Sequence, residues 1–268
     1  MLISRVDRPP YRGELPLSLR VFVAAHKPYD MPDDGVYEPI HVGHANATVK
    51  TGFTADDTGD NISARNASYC ELTGLYWFWR NTNHDAYGLA HYRRYFAGSG
   101  WRGVATGEEM RDWLNAADVI VPRRRNYVIE TVRSQYTRAH HGSDLDAART
   151  AIAELSPDYL LAFDRVMARR TLSLYNMFLM RRELLDDYAK WVFTILERAS
   201  RDIDVSSYGP QQKRVFGYLG ERLFNVWLEK NADRLKVQRR RIVALEGENL
   251  VKKAWGLINR RFGRGRAH

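Results

Sequence analysis

Cysteine is almost missing from this 268-residue sequence. Cys70 stands alone, so no disulfide can form within the chain, and a reducing compartment suits it. Long apolar runs are missing too. No window of 18 apolar residues occurs, which argues against a membrane-spanning helix. Residues 1–17 carry no apolar stretch of leader length before Pro9 and Pro10, so no secretory leader is expected there. Several signatures of well-known chemistry do not occur. There is no Walker loop, no HExxH, no CxxC and no GxSxG, and no GxGxxG fingerprint opens a helix directly after a strand. ATP hydrolysis, zinc chemistry, serine hydrolysis and hydride transfer all lose support.

An excess of charge of either sign is missing from the body. Residues 234–268 hold 11 Lys or Arg against 2 Asp or Glu, and the rest of the chain holds 30 of each sign. The whole net charge of +9 therefore resides in the tail. A nucleic-acid footprint spreads over a face of a fold, so no nucleic-acid partner is expected. Composition is otherwise ordinary for a globular protein, with 44% apolar and 27% charged residues.

What is present reads as alternating strands and helices, then mostly helices. Strands are expected at 20–26 (RVFVAAH), 37–42, 86–91 (AYGLAH), 118–122 (DVIVP) and 175–180 (YNMFLM). Loop residues dominate 51–61. A helix is expected from a Ser63 cap to about Arg80, with Tyr69, Leu72, Leu75, Tyr76 and Trp79 at helical spacing. Further helices are expected at 106–116, 144–154, 157–169, 182–198 and 210–229. This pattern predicts a mixed α/β nucleotide-binding domain over residues 1–233 with a helical second half. A separate basic helical tail is expected over 234–268. Its last part places Val251, Trp255, Ile258 and Phe262 on one stripe flanked by Lys and Arg, a pattern that fits an anionic membrane interface or a packed helix.

Candidate chemistry concentrates between Asp57 and Phe96. Asp60, Asn61, Ser63 and Asn66 crowd a loop and helix start, where free backbone N–H groups suit a phosphate or a ribose; helix capping also explains Ser63. Glu71 lies on an otherwise apolar helix, so it is an ion pair or sits at a wet edge. His91, Tyr92, Arg93 and Arg94 follow a short strand, where α/β sheets place ligands, and paired arginines match phosphate oxygens. His26 and Lys27 leave the first strand in the same way. His141 and Asp144 form a polar cluster that suits an acceptor or a helix cap. Asn176 lies in an apolar strand and needs partners. Glu221 and Arg222 are adjacent charges in an apolar helix, fit for an ion pair or for a base beside a phosphate clamp. No Asp-x-Asp pair follows a clear strand, so no metal ligands and no cofactor are named; a divalent metal is left open.

TGDNIS, YCELTGLYW, GLAHYRRYF, YNMF and GYLGERL together resemble a family of bacterial capsule and O-antigen biosynthesis proteins, long filed as a domain of unknown function. The resemblance spans about Val21 to Leu228. It implies a GT-A-like, Rossmann-like nucleotide-binding fold and transfer of galactofuranose from UDP-galactofuranose to a growing surface polysaccharide or lipid-linked glycan. Another UDP-sugar, or a non-catalytic glycan-binding or membrane-tethering module, is the alternative. The matched positions are Asp60, Asn61, Ser63, Asn66, Glu71, His91, Tyr92, Arg93, Arg94, Asn176, Glu221 and Arg222.

Inversion from an α-linked donor needs a carboxylate base near the acceptor and positive charge near the diphosphate. Expected roles follow. Glu221, then Asp144, is the base. His26, Lys27, Asp60, Asn61, Ser63, Asn66, His91, Tyr92, Arg93, Arg94 and Arg222 hold the donor, and His141 and Asn176 hold the acceptor. The expected location is cytoplasmic, peripheral on the inner face of the membrane through the tail.

Overall fold

A computed structural model of the chain describes residues 17–245. The apolar run at the start of this region forms β1 (Leu19–Ala25), followed by β2 (Tyr37–His41) and β3 (Thr54–Ala55). Two helices follow, α1 (Asn66–Tyr69) and α2 (Leu72–Asn81). Next come β4 (Ala86–His91), β5 (Arg94–Phe96), α3 (Gly107–Ala116), β6 (Val119–Pro122) and β7 (Arg125–Asn126). The second half holds α4 (Val132–Ala139), α5 (Gly142–Leu155), α6 (Leu160–Ala168), β8 (Thr171–Leu172), β9 (Phe178–Arg181), α7 (Arg182–Ala199) and α8 (Val215–Lys230). Two strands close the described region, β10 (Val237–Arg240) and β11 (Ile242–Ala244).

The main sheet runs β10–β6–β9–β4–β1–β2–β3. β1, β2, β3 and β4 are parallel, and β9 is antiparallel to both β4 and β6. β6 and β10 pair in parallel and therefore point the same way as β4. Both faces of β1 are covered, which is why it reads as one apolar run rather than an alternation. Phe22 and Ala24 face a large core under the second-half helices, while Val21 and Val23 face a smaller core shared with α3. Thr106 opens α3 through a capping box with Glu109. Among the described residues no helix is long and apolar enough to cross a membrane.

Three sequence expectations change here. The single helix expected over 63–80 is broken at Cys70, whose φ is +52° and whose side chain packs against Gly217 of α8. The strand expected from Tyr175 starts at Phe178, since Tyr175 and Asn176 are both left-handed, with φ of +75° and +51°. The basic helix expected from Arg234 is, over its described part, the strands β10 and β11. Val237 pairs with Val119, and Ile242 pairs with Phe96. Open ladder edges on β6 and β5 outweigh the weak helical pattern of this short charged segment. The stripe at 251–262 lies outside the described residues.

The loop before α1 is held by a buried carboxylate. Asp56 accepts hydrogen bonds from the Gly43 and His44 N–H groups at 2.9 and 3.0 Å, from Thr73 Oγ1 at 2.6 Å and from Ser63 Oγ. Asp56→Asn puts a donor against donors and strands part of this set. We expect it to cost about 2–4 kcal/mol of stability, read as a lower midpoint in denaturant titration; an unchanged midpoint overturns this role.

Candidate active site

β1 and β4 end side by side, with Ala24 in register with His91. β2 and β3 lie on the far side of β1, and β9 lies on the far side of β4. The chain order thus reverses between β1 and β4, the position where open α/β sheets take ligands. A cleft of about 740 Å³ opens there, within the range of small-molecule sites. His26 enters it from the end of β1, and His91, Tyr92, Arg93 and Arg94 from the end of β4. Asn66 enters from the start of α1, Cys70 and Glu71 from the break between α1 and α2, and Lys213 and Arg214 from the turn before α8.

Four of these side chains are fixed cations and one is a carboxylate. Burial, then the charges of Arg94 and Arg93, pushes the His91 imidazole down to about 3. The Arg93 N–H donates to His91 Nδ1 at 3.3 Å, so the neutral ring carries its proton on Nε2. Burial likewise lowers His26, with Lys27 and Arg93 adding to the effect. Burial pushes the Cys70 thiol up to about 11 although Arg214 Nε contacts its sulfur at 3.2 Å. Cys70 is therefore a protonated thiol at neutral pH, not a nucleophile.

Glu71 is the cleft's carboxylate. Its Oε1 accepts from Asn176 Nδ2 at 2.9 Å, and Asn176 also donates to the Gly217 carbonyl. Burial raises the Glu71 pKa, opposed by the Asn176 hydrogen bond and reinforced by the charge of Glu221. A raised carboxylate is a better proton acceptor than an ordinary one. The left-handed pair Tyr175–Asn176 makes this arrangement possible. It brings the Asn176 amide to Glu71 and the Tyr175 ring under Arg94, 4.4 Å from the guanidinium.

Several expected residues are placed elsewhere. Asp60 lies at the outer end of α2, paired with Arg80 and accepting from Tyr76. Asn61 bonds within its own loop, to Gly59 and Ser63. Ser63 is buried against Asp56. These are loop-holding contacts rather than a donor cradle, because their polar atoms are already used by neighbouring turns. Glu221 does not line the cleft: its Oε1 accepts from Tyr175 N at 2.7 Å and its Oε2 from Arg222 at 2.9 Å. Arg222 is 3% exposed and also bonds Gln135 and the Tyr218 carbonyl, so it serves Glu221 and not a phosphate. Asp144 is 1% exposed beneath Tyr208 and Tyr136. His141 stacks on Tyr208 at 4.4 Å. Asn176, 3% exposed, holds Glu71 instead of meeting an acceptor. Lys27 lies over Tyr29, outside the cleft lining.

Lys213 and Arg214 were not among the expected residues; nothing local in the stretch PQQKR marks them, and only the docking of α8 against α1 brings them in. Gly98, Gly100 and Gly103 do have GxGxxG spacing, but they follow the antiparallel β5, Gly98 packs against Ala105 and Gly100 against Thr106, and none of the three lines the cleft.

The His91 environment predicts a pH effect. Its folded pKa lies below the ordinary 6.5, so its contribution to stability is full above that value and is lost as pH falls toward about 3. His91→Gln is expected to flatten the fall in denaturation midpoint between neutral pH and the middle of that interval. Identical slopes in parent and variant overturn it.

The chain matches the family model described as a domain of unknown function, DUF4422, over residues 20–232. No curated protein matches it. Among solved structures, the apo structure of the WbbM bifunctional glycosyltransferase matches with a TM-score of 0.79 at 30% identity. The match covers 86% of this chain and 46% of that one, so the chain spans about half that protein's length. The mixed α/β fold is GT-A-like on this likeness.

Proposed function

The chain belongs to the DUF4422 family, and we propose that it is a glycosyltransferase taking a sugar from a UDP-sugar, with UDP-galactofuranose as the donor, to a growing surface polysaccharide or lipid-linked glycan. The observation that carries this reading is the cationic cleft at the β1–β4 switch point with one half-buried carboxylate, Glu71, on its wall. The likeness to a bifunctional glycosyltransferase supports it.

Arg93, Arg94 and Arg214 face the diphosphate, and the neutral His91 offers its Nε2 proton to an oxygen beside them. His26, Asn66 and Tyr92 form the rest of the donor wall. The acceptor hydroxyl oxygen attacks the anomeric carbon as the bond to the UDP oxygen breaks, and its proton passes to Glu71. One displacement turns an α-linked donor into a β-linked product. Glu71 replaces Glu221 and Asp144 as the proposed base, because it alone of the three lines the cleft. The acceptor is proposed to reach the chain at the inner face of the cell membrane, where residues beyond Leu245 add basic contacts to an anionic surface.

Mass spectrometry of transfer from a panel of UDP-sugars, with and without EDTA, tests the reading. Transfer from UDP-galactofuranose is the expected result. Transfer from another sugar alone overturns the donor. Glycan binding with no turnover from any donor overturns the enzyme in favour of a binding module.

A further inference from the structure

A second basic region lies on the same rim of the sheet. β6 ends at Pro122 and runs into Arg123, Arg124 and Arg125, all exposed. β10 lies beside it in parallel, with Arg239 opposite Val121, and the Arg123 N–H donates to the Arg240 carbonyl at 2.8 Å. Arg239 and Arg241 are exposed there too. Arg170, after α6, reaches over from the other side and donates to the Val128 carbonyl at 3.2 Å. Six exposed arginines thus converge. Among the described residues none of the six pairs with an acid: Glu229 is taken by Arg169, and Glu130 by Arg138. Folding thus joins the arginine run at 123–125, from the electroneutral body, to the arginines at 239 and 241 of the basic C-terminal stretch.

The loop between these arginines carries an apolar tip. Val128 and Ile129 are 68% and 79% exposed. Val128 has a φ of +63°, a region that a β-branched residue rarely occupies. The Asn126 carboxamide accepts its N–H at 2.8 Å, and Arg170 holds its carbonyl. The strained turn therefore holds two aliphatic side chains out into solvent between guanidinium groups. Tyr127, just before it, packs on the core and anchors the base of the loop.

We propose that this surface docks on an anionic lipid bilayer, with the arginines on the headgroups and Val128 and Ile129 inserted between them. A nucleic acid or an anionic glycan would satisfy the arginines but gives no place for two exposed aliphatics, whereas a bilayer interface takes both. β6 and β10 end on the same rim as β1 and β4, so docking turns the mouth of the cleft toward the lipid. The surface is distinct from residues 246–268 and stands whether or not the cleft transfers a sugar.

Co-sedimentation of the full chain with vesicles of phosphatidylcholine, alone or mixed with phosphatidylglycerol, tests it. The R123Q/R124Q/R125Q variant is expected to lose on the order of 100-fold in partition to the mixed vesicles, at roughly a factor of five for each arginine. V128S/I129S is expected to lose on the order of 10-fold, even at high salt. Partition equal to the parent in both variants overturns the proposal. So does loss of binding to a soluble anionic polysaccharide with vesicle binding intact. Hydrogen exchange of the unaltered chain needs no variant: slowed exchange over 123–130 with mixed vesicles is expected, and unchanged exchange there overturns the docking surface.

Discussion

Glu71→Gln lowers turnover by about 10²–10⁴-fold, the span of a lost general base, with the affinity for donor little changed. The substitution keeps shape and keeps an oxygen for the Asn176 amide, so the fold and the Tyr175–Asn176 turn survive. Only the proton acceptor goes. A pH profile adds a readout that packing damage cannot mimic. Burial raises the Glu71 carboxyl above its ordinary value, and the Glu221 charge pushes the same way. The acid limb of the rate therefore falls as pH drops through that raised value. Glu221→Gln removes the like charge, so it shifts that limb to lower pH while most of the turnover remains. Steady-state kinetics across pH decide the matter. If Glu221→Gln abolishes turnover and Glu71→Gln spares it, the base is Glu221.

Arg94→Ala lowers kcat/KM by about 10²–10³-fold, the usual loss when one preorganised charge donor is removed from a developing anion. Its guanidinium lies over the Tyr175 ring, which fixes its plane in the cleft. Arg94→Lys recovers only part of the loss, because an ammonium has no planar fork for two phosphate oxygens and stacks less well on the ring. Calorimetry of UDP binding separates the causes: weaker UDP binding together with slower turnover is expected. Unchanged turnover and unchanged UDP affinity remove the cationic clamp from the mechanism.

The elements most legible in the sequence were those with strong local patterns. β1, β2, β4 and β6 were placed within a residue or two, and α3, α5 and α7 nearly as closely. Of the site, His26, Asn66, His91, Tyr92, Arg93 and Arg94 were named and do meet in one cleft. They were legible because strand ends in an α/β sheet are where ligands bind. The misplaced residues share one property: their types fit a ligand, but their partners are far away in sequence. Asp60 and Asp56 stand four residues apart in one acidic loop, and only folding puts Asp56 under four donors and Asp60 out on the surface with Arg80. Glu71 and Glu221 were both odd charges in apolar helices. The left-handed turn at Tyr175–Asn176 separates them: its Tyr175 N–H takes one oxygen of Glu221, whose other oxygen Arg222 holds, while its Asn176 amide holds Glu71, which lines the cleft.

Local sequence therefore determined the class of the fold, the order of its main strands and helices, and the strand ends that bear the cleft, because side-chain period and capping act within a few residues. Tertiary structure alone decided which carboxylate faces the cleft, that Lys213 and Arg214 join it, and that residues 237–244 pair as strands. Each of these depends on contacts across a hundred residues or more, such as Glu71 with Asn176, Cys70 with Arg214 and Val119 with Val237, and no local pattern encodes a partner that distant.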